Sequence, residues 1–263
     1  MIRIDDPDDP RIAAYRAVRE RDVIGRGERF IAEGEVVLRL LLGDRSRHQP
    51  ESVLIAESRA EALETLLAGA DAPVYVASAA VMEAIVGFDI HRGVLAIGRR
   101  APAEDAAALL ARLPPQALVV ALIGVSNHDN VGGIFRNAAA FGADAVLLDG
   151  ASCDPLYRKA IRVSVGASLI TPFARGGSGA ELLDALEIAG FATFALSPSG
   201  ARTLEEARPA VRTCLMLGAE GPGLPAELMA RAVAVRIPMA PGFDSLNVAT
   251  TSGIALYRLA RGG

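Results

Sequence analysis

Arg136 has the surroundings that most plainly ask for a partner. It stands about two turns into the helical pattern NVGGIFRNAAAF, among small and apolar neighbours, and a guanidinium there calls for an anion. Asn130 is a plausible N-cap for this helix, and Gly132 and Gly133 permit close approach to its first turn. A second group of residues follows the apolar run CLMLGA, from Cys214 to Ala219, which reads as a buried strand. It breaks into Glu220, Gly221, Pro222 and Gly223, where missing side chains expose backbone N–H and C=O groups to a ligand. A further short strand, from Val233 to Pro238, ends in another irregular turn, Met239, Ala240, Pro241 and Gly242. Ser245 then opens an amphipathic helix carrying Leu246, Val248, Ile254, Leu256 and Leu259 on its apolar positions. Asn247 in that first turn is hard to explain by helix propensity, which points to a role for its side chain.

The elements that must position these residues alternate between strand and helix patterns. VVALIGV leads through SNHDN into the helix of Arg136, and FATFALS ends at Leu196 and Ser197. Upstream, the expected order is a helical pattern from Ile31 to Leu42, a strand from Ser52 to Ala56, and a helix from Glu57 to Leu67. A strand from Pro73 to Ala77, a helix from Ala79 to Ile85 and a strand from Gly93 to Ile97 complete it. Residues 1–98 thus read as a small α/β domain, 99–117 as a proline-flanked linker, and 118–263 as a second α/β domain.

Taken together and in order, NVGGIFRNA, LGAEGPGL and IPMAPGFDSLNVATTSGIALY resemble the three motifs of the SpoU (TrmH-like) branch of the SPOUT methyltransferases. The resemblance covers roughly residues 119–260, and no position in the three motifs is damaged. DPLYRKAIRVSVGASLITPF also resembles the segment between the first two motifs in ribosomal-RNA-directed members. RFIAEGEVVLRLLL and VGFDIHRGVLAIG resemble the ribosomal-protein-like substrate-binding domain that precedes many of their catalytic domains. The fold so implied is α/β: a small N-terminal RNA-binding domain, then a parallel-sheet methyltransferase domain whose C-terminal part forms a trefoil knot. Periodicity alone would suggest an ordinary doubly wound sheet, since knots are rare.

The same resemblance implies S-adenosylmethionine as cofactor and a ribose 2′-hydroxyl of structured RNA as acceptor, in 23S ribosomal RNA rather than transfer RNA. Leu217, Gly218, Gly221, Ile237, Met239 and Leu246 match cofactor-binding positions, with Leu196 and Ser197 at the same pocket. Arg136 matches the arginine proposed to activate the hydroxyl, with Asn130, Glu220, Ser245 and Asn247 in support. A guanidinium has a pKa of roughly 12.5 to 13.8, so orienting the phosphate and stabilising the alkoxide are the physically easier roles for it. A homodimer through the knotted domain, with helix 245–260 as an interface element, is also implied.

Composition sets bounds. At 263 residues and 51% apolar, the chain can bury a proper core, and no apolar run approaches the ~20 residues that span a bilayer. MIRIDDPDDPR lacks an apolar signal core and an Arg-rich transit character, so a cytoplasmic protein is expected. A net charge of −4 does not announce a nucleic-acid binder, yet arginines cluster early, and Arg26, Arg29 and Arg39 are candidate RNA contacts. Cys153 and Cys214 lack metal-ligand spacing and read as idle thiols, so no metal is expected. His128 reads as a loop residue, and His48 and His91 as surface or substrate-face residues. RGGSG, at 175–179, lacks the lysine of a nucleotide-triphosphate loop and reads as a turn before a helix. No strand is followed by a G-x-G-x-x-G fingerprint, which disfavours a nicotinamide dehydrogenase. A non-catalytic RNA-binding module is the remaining rival, and the intact polar residues of the three motifs argue against it.

Overall fold

The computed structural model of the protein describes residues 1–16, 28–86, 93–243 and 245–260. They fall into two compact units, Met1–Pro102 with Leu156–Ile170, and Ala103–Pro155 with Thr171–Gly263. The grouping of Leu156–Ile170 with the first unit is not evident from chain order, because that segment lies between two motifs of the second.

Among the described residues the first unit has five strands, β1 (Ile2–Ile4), β2 (Arg29–Glu33), β3 (Gln49–Ala56), β4 (Val74–Ala77) and β5 (Val94–Arg99), in the order β1-β4-β3-β5-β2. β1, β4 and β3 run parallel, and β5 lies antiparallel between β3 and β2. The helical pattern expected from Ile31 is corrected here: Arg29–Glu33 is a strand and the helix is Glu35–Leu42. Pairing with β5 overrides the local apolar spacing, and Gly34, at φ +93°, turns the chain between the two elements. Tyr15, Ile31, Leu54, Leu95 and Ile97 are buried in one core, where the Tyr15 hydroxyl meets Ser52 Oγ at 2.8 Å.

The second unit is built on seven parallel strands. They are β6 (Ala117–Ile123), β7 (Ala145–Leu148), β8 (Phe173–Arg175), β9 (Ala192–Leu196), β10 (Arg202–Thr203), β11 (Arg212–Gly218) and β12 (Val233–Arg236), ordered β10-β12-β9-β11-β6-β7-β8. Its central strands are apolar throughout because both faces are covered: Val119, Ala121, Cys214 and Met216 enter one core, Val120, Leu122, Leu215 and Leu217 the other. Helix Gly179–Ile188, started by a Ser178–Glu181 capping box, covers the first core, and helices His128–Ala140 and Val248–Ala260 cover the second.

Two of these helices approach unusually closely. A Cβ added to Gly133 would lie 2.7 Å from Ala249 Cβ, and Asn137 Nδ2 donates to the Ala249 carbonyl at 2.7 Å and to Ser252 Oγ at 2.9 Å. β12 is separated from β11 by β9, so the chain leaving β12 must pass the C-terminal end of β9 to seat its last helix against β11 and helix His128–Ala140. Overpacking this contact with Gly133→Val is expected to destabilise the protein by roughly 1–3 kcal/mol. Denaturant unfolding measures this, and an unchanged midpoint would show that the helices tolerate separation.

Candidate functional site

The site lies where the C-terminal ends of β9, β11 and β12 meet, the place at which open parallel sheets present backbone to a ligand. Leu217 and Gly218 end β11 in register with Leu122 and Ile123 of β6. Glycine at 218 is a steric requirement: a Cβ there would stand 2.5 Å from the Gly223 carbonyl carbon and 2.6 Å from the Leu224 nitrogen. The turn can therefore fold back on the strand, and the Gly223 N–H donates to the Ala219 carbonyl at 3.0 Å. Gly221 and Gly223 take φ values of +88° and +70°, a region other residues avoid. On the neighbouring strand the Ser197 N–H donates to the Val235 carbonyl at 2.9 Å, tying the end of β9 to β12.

These turns enclose a cavity of about 500 Å³. Leu196, Ser197, Leu217, Gly218, Gly221, Ile237, Met239 and Leu246 all line it, as do Glu220, Ser245 and Asn247. Ala219 and Gly223 of the turn after β11 line it as well, while Pro198, Val248 and Thr251 are lining residues that sequence reasoning missed. Thr251 carries a legible signal, since it follows Asn247 at i+4 on one helix face.

Asn247 joins the parts. Its Nδ2 donates to Asn130 Oδ1 at 2.8 Å and to Glu220 Oε1 at 3.1 Å, while its Oδ1 accepts from the Ala249 and Thr250 N–H groups at 2.9 and 3.2 Å. One amide thereby links the first turn of helix His128–Ala140, the turn after β11 and the start of the last helix. Two caps expected from sequence are corrected. The last helix begins at Val248 with Asn247 as its side-chain cap, not at Ser245, which precedes the helix. The earlier helix begins at His128, capped by Asn127, and Asn130 is a buried first-turn residue. In both places two cap-forming residue types lie three or fewer positions apart, and local pattern does not choose between them.

Arg136 is exposed on helix His128–Ala140 and does not line the cavity. Among the described residues no carboxylate pairs with it. The loop before its helix is fixed by the buried Asp149, which accepts from the Gly124 N–H at 3.0 Å and the Ser152 N–H at 2.8 Å. Ser152 Oγ accepts from the Val125 N–H at 3.0 Å.

The other candidates are elsewhere. In the first unit Arg29 pairs with Glu51 at 2.6 Å and Arg39 with Glu35 at 2.8 Å. The Arg39 hydrogen bond, followed by the charges of Arg39 and Arg59, holds the Glu35 carboxyl below its usual range. Arg26 and His91 lie outside the described residues. His128 opens a helix rather than sitting in a loop, and His48 is buried, its Nδ1 accepting from the Ala101 N–H at 3.0 Å, rather than surface-facing. Burial pushes the Cys153 thiol up to about 11 and Cys214 further still, so neither is a nucleophile at neutral pH. Among the described residues no group of three His, Cys, Asp or Glu is placed to hold a metal ion, and no helix is long and apolar enough to cross a membrane.

The model of the SpoU rRNA Methylase family matches residues 117–257. A Mycobacterium bovis protein described as an uncharacterised tRNA/rRNA methyltransferase is 43% identical, over 98% of this chain and 91% of its own. A Burkholderia 23S rRNA (guanosine-2′-O-)-methyltransferase is 31% identical over 78% of this chain and 84% of its own. The crystal structure of an AdoMet-bound rRNA methyltransferase from Sinorhizobium meliloti has a TM-score of 0.81 at 25% identity, covering 98% of this chain and 97% of its own.

The double duty of Asn247 can be dissected by substitution. Asn247→Ala removes a cap and should cost about 0.5–2 kcal/mol. Asn247→Asp keeps the capping oxygen but replaces the donor facing Glu220 with a second carboxylate, so its helix start should survive while the link to Asn130 and Glu220 is lost. Thermal melts would separate the two, with the alanine variant the less stable at neutral pH. If the aspartate variant melts as low as the alanine variant, the side-chain link matters more to stability than the cap.

Proposed function

Because the chain belongs to the SpoU rRNA methylase family, we propose that it methylates the 2′-hydroxyl of one ribose in ribosomal RNA. The protein is an RNA methyltransferase, and its cofactor is S-adenosylmethionine. The cavity suits that cofactor by its own chemistry. Its walls are apolar side chains, main chain and the neutral polar residues Ser197, Ser245, Asn247 and Thr251, and among the described lining residues Glu220 alone is charged. It offers a carboxylate to a sulfonium or ammonium and no cationic side chain to a phosphate. The N–H groups of Ala249 and Thr250, which would otherwise receive an anion, are already taken by Asn247.

When bound, S-adenosylmethionine supplies an electrophilic methyl carbon. The chain's own work is to bind, align and manage a proton. Main-chain groups of Leu217, Gly218, Gly221, Ile237, Met239 and Leu246 would hold the nucleoside part, with Leu196 and Ser197 at its edge. Arg136, an exposed guanidinium without a carboxylate partner among the described residues, would orient the RNA phosphate and stabilise the developing alkoxide. The Asn130–Asn247–Glu220 link holds the helix of Arg136 in fixed relation to the cavity, which alignment to about 3–3.5 Å between reacting atoms demands. Ser245 stands at the rim.

The choice of ribosomal RNA is supported by the Burkholderia relative and by the first unit, which we read as the substrate-binding domain. Arg29 and Arg39 would exchange carboxylate for phosphate on binding, and Arg26 would act with them. A homodimer is part of this reading, supported by Ile254 and Tyr257, which leave an apolar edge of the last helix 42% and 49% exposed. The trefoil knot belongs to it too, supported by a last segment that passes the end of β9 to dock against β11 and helix His128–Ala140. A ribosomal-RNA substrate would go with a cytoplasmic protein, which is part of the same reading.

The observation that carries the proposal is the Asn247 link between Arg136's helix and the cavity. Methyl-tritiated S-adenosylmethionine with unmodified ribosomal and transfer RNA, followed by alkaline hydrolysis, tests it: label should reside in an alkali-resistant dinucleotide from ribosomal RNA. Label on a base, or in transfer RNA alone, would overturn the assignment. Arg136→Ala should reduce transfer by about 10²–10³-fold or more. Arg136→Lys should not restore it, because lysine keeps the charge and loses the planar fork.

A further inference from the structure

We propose that Phe243 is a stacking platform for an unpaired base of the acceptor RNA beside the methylated ribose, an inference that rests on reading the cavity as the methyl-transfer site. Phe243 is 75% exposed, although Phe30, Phe135, Phe191 and Phe194 are all buried. Among the described aromatic side chains the next most exposed is Tyr257, at 49%. The exposure is built into the backbone: the Phe243 N–H donates to the Ala240 carbonyl at 3.1 Å, and Gly242, at φ +87°, turns the chain outward.

Its position in the chain ties this ring to the site. Met239 before the turn and Ser245 and Leu246 after it line the cavity, and Asn247 is the residue bonded to Glu220 and Asn130. The ring is thus carried on the loop that joins two lining segments, outside the lining itself and in water, where it adds nothing to the core. A large apolar side chain held in water on a loop that borders a site is suited to a flat ligand that arrives from solvent.

The chemistry of the acceptor supplies one. To bring a single 2′-hydroxyl into a cavity, its nucleotide or a neighbour must leave the stacked strand, and proteins replace the lost stacking with an aromatic face. Phenylalanine offers such a face without hydrogen-bond demands, so it accepts a base by its ring surface rather than by its edge.

The test uses the full chain and an RNA that it methylates, comparing Phe243→Leu, Phe243→Ala, Phe243→Tyr and Phe243→Trp. The leucine and alanine variants should raise the KM for RNA by roughly fivefold to a hundredfold, the range that one base–aromatic stack provides. Tyrosine and tryptophan should stay near wild type, and S-adenosylmethionine affinity and solution mass should not move in any variant. A leucine variant with wild-type KM would overturn stacking. A loss of cofactor affinity would assign the ring to the cofactor instead, and a change in mass would assign it to a second copy of the chain; either outcome also overturns the proposal. A wild-type protein that transfers methyl to no RNA would overturn the reading of the cavity and this inference with it. Active wild type with indifferent leucine and alanine variants would fault the inference alone.

Discussion

The close seating of helix Val248–Ala260 on helix His128–Ala140 is the constraint from which the rest of the site follows. Gly133 gives the last helix room at Ala249, and Asn137 fixes it by bonding to the Ala249 carbonyl and Ser252 Oγ. To reach this seat from β12, the chain has to pass the end of β9. That passage, with the turn forced back on β11 at Gly218, creates a cavity walled largely by turns and strand ends. A core contact between two helices, remote in sequence by more than a hundred residues, thereby decides where backbone is left available for a ligand.

Such a site divides labour in a physically sensible way. Turns lined by main chain offer a ligand groups that truncating a side chain does not remove, and glycines at positive φ let them form. The polar side chains are then few and heavily committed. Asn247 uses both ends of its amide, capping its own helix while joining Glu220 to the buried Asn130. Arg136 is left uncommitted among the described residues, in contrast to Arg29, Arg39 and Arg158, each held by a carboxylate. An uncommitted cation on the helix that Asn130 joins to a cavity with a single carboxylate fits a reaction that handles a phosphate outside and a sulfonium inside.

Much of this is legible in the sequence, and the exceptions have causes. The strands of the second unit can be read because parallel strands covered on both faces are apolar without interruption, as in ALVVALI and CLML. Residues of the cavity wall can be listed because glycine and proline mark where those strands stop. Helix starts are less legible: Asn127 and Asn130, like Ser245 and Asn247, are competing caps, and tertiary hydrogen bonds choose between them. The strand at Arg29–Glu33 was hidden by helical spacing, since its partner β5 lies far along the chain. Arginine clustering overstated the free positive charge, because Glu35 and Glu51 sit opposite Arg39 and Arg29 only after folding. Nor does chain order reveal that Leu156–Ile170 packs with the first unit, where Arg158 meets the buried Glu33 at 2.9 Å.

The central claim is that the turns after β11 and β12 form a main-chain cradle for S-adenosylmethionine without help from RNA. Isothermal titration calorimetry of the purified protein tests it most directly, with NAD and ATP as controls and Gly218→Val as the variant whose turn cannot close. The account predicts saturable binding of S-adenosylmethionine by the wild type, none by the variant, and none of either control. Binding of NAD or ATP with no heat from S-adenosylmethionine, in a protein that still unfolds cooperatively, would contradict it.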